Sequence, residues 1–113
     1  MITRANEQSK SVREYMRGGK KHVELTALSK ELPENARLFS KLTLIPGASI
    51  GYHVHENETE LFYFVSGRAR VRDDDDFFDL TPGDAMATSS GHGHAVESIG
   101  TEPLVLVACI IKD

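Results

Sequence analysis

The sequence predicts an all-β protein built as an antiparallel sandwich or barrel, and three observations support this prediction. From residue 37 onward, short apolar runs are separated by turn residues about every ten positions, which is typical of such folds. Residues 37–44 largely alternate between inward and outward side chains, the period of a strand with one buried face. Residues 104–111 form an uninterrupted apolar run, as expected for a strand that is covered on both sides.

Length and composition favour one ordinary globular domain, and the lack of an apolar run of about 20 residues, together with a polar N-terminus, predicts a cytoplasmic protein. The chain has 113 residues, of which 40% are apolar and 27% charged, and this excludes a disordered chain and a membrane protein. The net charge of -4, with scattered lysines and arginines, excludes a nucleic-acid partner. The single cysteine, Cys109, excludes an intrachain disulfide and a thiolate metal cluster, and its apolar neighbours predict a buried core position.

The chain divides into an N-terminal arm and a barrel. Residues 1–36 are polar and irregular, and we expect an arm that packs partly on the barrel formed by residues 37–113. Residues 17–21 predict a flexible turn in this arm. A short strand over residues 22–28 and one helical turn over residues 28–34 are expected to follow.

The barrel elements are predicted in order from their turn residues. The first main strand, with Leu38 and Ser40 on its inward face, ends at Pro46 and Gly47. Residues 60–65 and 68–72 predict a hairpin, because Gly67 supplies the positive backbone angle of a tight turn.

An acidic run over residues 73–76 comes next. It lacks the spacing and the terminal glutamate of an EF-hand calcium loop, so it predicts a solvated hairpin tip. The last strand, residues 104–111, is apolar on both faces, although a sheet with one buried face would alternate. One face packs on the core. The other face, which also carries Phe39, must be covered by the arm or by a second subunit. We therefore expect a homodimer.

A group of histidines and one glutamate predicts a metal site. His53 and His55 are two apart, which places both imidazoles on one face of a strand, and Glu60 follows a short polar turn. His94 is a fourth candidate from a later strand. Nitrogen and oxygen donors presented by neighbouring strands suit a divalent first-row metal. The alternative is that these are hydrogen-bonded polar residues of a barrel without a metal.

The spacing of these residues resembles a known motif. Five residues separate Gly47 from His53, one separates His53 from His55, four separate His55 from Glu60, and six separate Glu60 from Gly67. This resembles the first conserved motif of the cupin superfamily at every defining position.

The second cupin motif is matched with two departures. Ser89 stands where the family usually has proline, and Ser98 where it usually has asparagine. Both are turn or hydrogen-bonding positions, so the ligand position, His94, is kept. The full spacing runs through Gly83, Ser89, Gly91, His94 and Ser98.

The resemblance implies a double-stranded β-helix, or jelly-roll barrel, with a metal inside near one open end. It also implies ligand roles for His53, His55, Glu60 and His94. Glu58 is expected to be solvated and is kept as a reserve ligand, and His92 is expected to be exposed or to lie behind a ligand, with exchange for His94 as a ligand the lesser alternative. Glu56 is expected to be solvated, and Tyr52 to pack at the barrel rim.

The cofactor expected from this donor set is one divalent transition-metal ion, manganese, iron, nickel or zinc. Inward residues should form a small apolar chamber around it for a compact small molecule with one or two oxygen donors. These residues are Ser40, Phe62, Phe64, Phe78 and Val96.

The resemblance leaves two functions open. The first is a metal-dependent enzyme, of the dioxygenase, decarboxylase or isomerase type, that acts on a small oxygen-rich or carboxylate compound. The alternative is a non-catalytic sensor or binding module for a small molecule or a metal ion. Apart from the ligands, the inward residues include no clear acid or base, so no catalytic residue is assigned.

Overall fold

The computed structural model describes residues 1–113 and confirms the all-β prediction, with ten strands in two antiparallel sheets. Two 3₁₀ helices, Ala5–Glu7 and Met16–Gly18, precede and follow the first strand, and neither could span a membrane. The strands are β1 (Lys10–Glu14), β2 (His22–Ala27), β3 (Ala36–Leu44), β4 (Ser49–Val54), β5 (Glu58–Ser66), β6 (Ala69–Asp73), β7 (Asp76–Leu80), β8 (Ala85–Thr88), β9 (Gly93–Ser98) and β10 (Leu104–Lys112).

The chain passes back and forth between the two sheets. One sheet has six strands in the order β1-β2-β3-β10-β5-β8, and the other has four in the order β4-β9-β6-β7. Every pairing is antiparallel. The inner faces form one continuous apolar core, whose fully buried large side chains include Leu42, Leu44, Phe64, Val71, Val96, Leu104 and Leu106. Burying a side chain of this size stabilises the fold by about 1.5–3 kcal/mol.

The predicted hairpin over residues 60–65 and 68–72 is wrong, although both strands exist. β5 pairs with β10 and β8 in the six-stranded sheet, whereas β6 pairs with β7 and β9 in the four-stranded sheet. Gly67 does have a positive φ of 82°, but its backbone lies against Pro103, where a Cβ atom would collide with the Pro103 carbonyl. The turn therefore carries the chain from one sheet to the other.

The N-terminal residues contribute two strands to the six-stranded sheet. The strand expected from residue 22 is present as β2, which pairs with β3 and buries Val23 and Leu25 in the core. The helical turn expected over residues 28–34 is absent. The Leu28 amide bonds instead to the Phe39 carbonyl, and the Ala36 amide to the Pro33 carbonyl, so the segment forms a loop between paired strands.

The outer face of the six-stranded sheet is apolar. Along β10, residues on the inner face are buried and Val105, Val107 and Cys109 on the outer face are half-buried, which confirms that this strand has two apolar faces. The prediction that Cys109 is a buried core residue is therefore wrong, because its side chain is half-buried on the outer face. On neighbouring strands Phe39 and Tyr63 are exposed on the same face. The acidic run forms the β6–β7 hairpin tip, as predicted.

Candidate metal centre

The fold brings His53, His55, Glu60 and His94 together, with one potential ligand atom from each lying within 4.8 Å of the others. His53 on β4 and His94 on β9 are direct partners in the four-stranded sheet, and His55 follows the end of β4. Glu60 comes from β5 in the opposite sheet, so, contrary to expectation, it does not lie on a strand adjacent to that of His53. The group is thus assembled across the interior of the barrel.

The spacing of the donor atoms fits a metal ion. Oε1 of Glu60 lies 2.9 Å from Nε2 of His55 and 3.0 Å from Nε2 of His94, and the two nitrogens are 3.1 Å apart. Bonds of about 2.1 Å to an octahedral ion place neighbouring donors about 3.0 Å apart, against about 3.4 Å for a tetrahedral ion. These three side chains are buried, so polar atoms this close must share either a metal ion or a proton.

Each imidazole makes a contact on its outer side that leaves Nε2 free to face the centre. When Nδ1 carries the proton, the Nε2 lone pair is available to a metal, and such outer contacts fix the ring orientation. The outer contacts are His53 Nδ1 to the Gly51 carbonyl at 2.8 Å, His55 Nδ1 to Glu58 Oε1 at 2.9 Å, and His94 Nδ1 to Thr88 Oγ1 at 2.8 Å.

Glu58, the reserve ligand, is not part of the donor group. Its two carboxylate oxygens accept hydrogen bonds from Nε and Nη2 of Arg37, both at 2.8 Å, and Oε1 also faces His55. The guanidinium of Arg37 lowers the pKa of Glu58 to about 2, so the carboxylate stays ionised. Arg37 was not singled out from the sequence, because a charged residue beginning a strand gives no signal of a partner far along the chain.

His53 is neutral at neutral pH. Burial lowers its pKa to about 4, which outweighs the opposing effect of the hydrogen bond to the Gly51 carbonyl, and the nearby side chains of His94 and Arg17 add to the lowering. A neutral imidazole is the form that binds a metal, so no proton has to leave His53 before metal binding near pH 7.

A cavity of about 60 Å³ adjoins three of the four donors. A single water needs about 10–15 Å³ on this measure, so the space suits a compact molecule of a few non-hydrogen atoms. Its walls combine apolar side chains with three arginines, none of which the sequence indicated as a site residue. The lining residues besides His53, His55 and Glu60 are Arg13, Met16, Arg17, Leu25, Arg37, Leu38, Leu42, Ile50, Phe62 and Ile110.

Of the five residues expected to line the chamber, only Phe62 does so. Its ring stacks on the imidazole of His94, with centroids 4.9 Å apart and an angle of 13° between the planes. Ser40, Phe64 and Val96 are buried on the inner faces but do not line the cavity. Phe78 is wrongly placed by the prediction, because its side chain is 51% exposed in a groove between the edge strands β7 and β8.

The other polar residues near the motif face away from the donors. Tyr52 lies on the outer side of its sheet, where the guanidinium carbon of Arg72 is 3.8 Å from its ring centroid. His92 is exposed, which is one of the positions expected for it. Its Nδ1 lies 2.6 Å from Asp74 Oδ2. Glu56 is exposed, as predicted.

Comparison with known proteins gives a family match. A family model described as the cupin domain matches residues 40–110. The oxalate-binding protein of Thermotoga maritima is 39% identical, over 98% of this chain and 93% of that protein. The oxalate decarboxylase OxdC of Bacillus subtilis is 40% identical over 77 residues, which is 64% of this chain but 20% of that protein.

Solved structures support the same assignment. A predicted oxalate decarboxylase from Thermotoga maritima superposes with a TM-score of 0.92 at 35% identity, covering all of both chains. KdgF from a Halomonas species superposes with a TM-score of 0.75 at 17% identity, over 100% of this chain and 96% of that one, which shows the fold alone. The resemblance read from the two motifs is confirmed, and the chain belongs to the cupin family.

Proposed function

We propose that this protein binds a small dicarboxylate of the oxalate class at a single divalent metal ion held by His53, His55, Glu60 and His94. The observation that carries the proposal is the small cavity that joins His53, His55 and Glu60 to three arginine side chains. Arginine presents several donors in a planar fork that matches a carboxylate. The likeness to an oxalate-binding protein over almost the whole chain supports the same ligand class.

Charged groups and apolar walls contribute to binding in different ways. A bound divalent ion would act as a Lewis acid that attracts carboxylate oxygens. Leu38, Leu42, Ile50 and Phe62 surround the donors with apolar surface, which excludes bulk water and limits the size of the ligand. Low polarity in these walls also strengthens the attraction between the ligand and the nearby positive charges.

The metal we propose is manganese, iron, nickel or zinc. Three imidazoles and one carboxylate suit all four ions. The 2.9–3.1 Å separations join only Glu60, His55 and His94, and the four donor atoms lie within 4.8 Å of one another, so these distances do not select one ion. If the ion is six-coordinate, four protein ligands would leave two positions for ligand oxygens.

Catalysis is the second candidate, and the residues of the cavity supply little of the acid-base chemistry that it needs. Decarboxylation of oxalate requires a proton to replace carbon dioxide on the remaining carbon. Glu60 belongs to the donor group, and Glu58 lies behind His55 in a pair with Arg37, so neither is free to deliver that proton. No other acidic residue lines the cavity. The geometry therefore supports binding more directly than turnover.

Calorimetry tests the proposal on metal-loaded protein. The protein, freed of metal and reloaded with manganese(II), should bind oxalate, whereas the metal-free protein should not. Succinate, which is longer, should bind more weakly because the cavity is small. Absence of oxalate binding with manganese, iron, nickel and zinc alike would contradict the proposal. Metal-dependent release of carbon dioxide or uptake of oxygen, abolished in His94→Ala, would establish an enzyme instead.

We also propose that two copies associate through the outer face of the six-stranded sheet. Phe39, Leu61, Tyr63 and Val65 are each at least 40% exposed on this face, beside the half-buried Val107. A contiguous apolar surface of this kind is unusual on a monomer, and a twofold axis would bury the same patch on both copies.

A further inference from the structure

Two of the three cavity arginines carry positive charge that nothing in the protein neutralises. The charge of Arg37 is paired with the carboxylate of Glu58, to which its Nε and Nη2 donate hydrogen bonds. Arg13 and Arg17 also line the cavity, yet neither side chain makes a hydrogen bond or an ion pair with any residue of the chain. Both are exposed, so they face the solvent side of the cavity. Their donors are therefore available to a ligand.

The backbone of Arg17 lies directly against the strand that carries His53. The 3₁₀ helix Met16–Gly18 packs on β4 so closely that a Cβ atom at Gly51 would overlap the carbonyl oxygen of Arg17. Beyond the helix, the amide of Ser49 donates to the carbonyl of Lys20 at 3.0 Å, and the amide of Lys20 donates to Ser49 Oγ at 2.9 Å. Arg17 is thus fixed relative to a metal ligand, although it lies far from that ligand in sequence.

The turn holds Arg17 in an unusual backbone conformation. Its φ of 55° and ψ of 30° are left-handed, which is disfavoured for a residue with a side chain. Hydrogen bonds of 2.9 Å from Gly18 to Tyr15 and 2.8 Å from Tyr15 to Lys21 close the turn on both sides. Tyr15 and Lys21 are left-handed too, with φ of 52° and 57°, so the surroundings fix the conformation of the whole turn.

Charge balance indicates what these arginines select. A divalent ion and the carboxylate of Glu60 together leave a single positive charge, while Glu58 and Arg37 cancel each other. A monoanion would neutralise that charge completely. A dianion would leave one negative charge in a cavity with apolar walls, where an uncompensated charge is costly. A further cation at the cavity removes this cost.

We infer that Arg17, assisted by Arg13, is the specificity-determining residue that recognises the second carboxylate of the ligand and selects dianions over monoanions. This inference rests on the proposed function, since it concerns the same cavity. Neither arginine is a metal donor, so their replacement should leave metal content unchanged.

The test compares oxalate with glycolate, a chelating monoanion, by calorimetry on manganese-loaded protein. Arg17→Gln should weaken oxalate binding about ten- to a hundredfold, the range for a lost hydrogen bond to a charged group. Glycolate binding should change by no more than about twofold. Arg13→Gln should shift oxalate binding in the same direction, and Arg17→Lys should fall between wild type and Arg17→Gln, because lysine keeps the charge but not the fork.

Arg68→Gln is the matched control. Arg68 is exposed and has no side-chain partner, but it does not line the cavity, so its replacement should leave both ligands unaffected. Suppose that the wild type binds oxalate, and that Arg17→Gln, Arg13→Gln and the variant with both changes bind it as tightly as Arg68→Gln does. The inference is then overturned, and the proposed function stands. Equal losses for oxalate and glycolate would also overturn it. Failure of the wild type to bind oxalate would overturn both.

Discussion

Arg37 holds Glu58 through two hydrogen bonds of 2.8 Å, in the bidentate geometry of a strong ion pair. The carboxylate so fixed faces Nδ1 of His55, whose Nε2 belongs to the donor group. Arg37 therefore acts on the metal centre through two intervening side chains, neither of which is exposed enough to move freely. Partners of this kind orient a ligand and raise its basicity.

Replacing Glu58 should weaken metal binding without removing a ligand. We expect Glu58→Ala to lower metal affinity about 10- to 100-fold, because His55 loses the group that orients its ring. Arg37→Met should have a smaller effect in the same direction. Competition with a fluorescent chelator measures both affinities. The control is Glu56→Ala, a neighbouring carboxylate that is exposed, and an equal loss in that variant would contradict the assignment.

Direct replacement of a donor should release the ion. Purified wild-type protein should hold about one transition-metal ion per chain, and His53→Ala and His55→Ala should each lose most of it, since each removes one of few strong donors. Elemental analysis of the purified variants is the measurement. His22→Ala, a histidine outside the group, should keep the metal. Full retention in both donor variants would show that the ion lies elsewhere.

The metal-free protein should lose stability in mild acid. The pKa of His53 is about 4 in the folded chain, below its ordinary value of 6.5, so the unfolded state binds more protons between these values. The free energy of unfolding should therefore fall as pH drops from about 6.5 towards about 4. Urea denaturation across this range is the measurement. His53→Gln should show a shallower slope, and identical slopes in both proteins would exclude this origin.

Close backbone packing at Gly51 should tolerate no side chain. A Cβ atom there would overlap the carbonyl group of Arg17 and crowd the backbone of Gly18, and backbone atoms cannot move as a flexible side chain would. We expect Gly51→Ala to lower the free energy of unfolding by about 1–3 kcal/mol, the range for overpacking. Gly100→Ala is the control, because its Cβ would make only ordinary contacts, the nearest at 3.5 Å. Equal denaturation midpoints for the two variants would contradict this packing.

The protein should be a dimer in solution. Light scattering at micromolar concentration should therefore give twice the 12.5 kDa mass of one chain. A charge in the outer apolar face should prevent the association, because it would be buried without a partner. Tyr63→Lys is chosen since Tyr63 is 53% exposed and lies opposite Val107 on β10. Phe77→Lys, on the other sheet, should leave the mass unchanged. A monomeric mass for the wild type would contradict the proposed dimer.

Local pattern predicted the strands and the donor residues but not how strands are shared between the sheets. Alternation shows which side chains share a face, and that was enough to group His53 with His55. The turn at Gly67 has the residue of a hairpin, but its direction is decided by the contact with Pro103, which a sequence does not display. The same limit explains why Phe78 was wrongly expected to line the cavity. Its side chain is on the inward face of its strand, but that strand lies at an open edge of the sheet.

The cavity arginines could not be predicted for a related reason. Arg13 and Arg17 occur in a polar stretch whose composition indicates a flexible arm, and only the pairing of β1 with β2 and the contact with β4 bring them to the donors. Arg37 begins a strand like any surface residue. Charge placed by long-range packing leaves no periodic signal in the sequence.

The position of the turn around Arg17 bears on how such a protein could diversify or be redesigned. The donors all come from residues 53–94, whereas Arg13 and Arg17 come from a segment that precedes the first main strand. Substitutions that retain the backbone of this segment could therefore exchange one set of side chains facing the cavity for another, without altering a single donor. A combinatorial library at positions 13 and 17 would sample new ligand preferences on an intact metal centre.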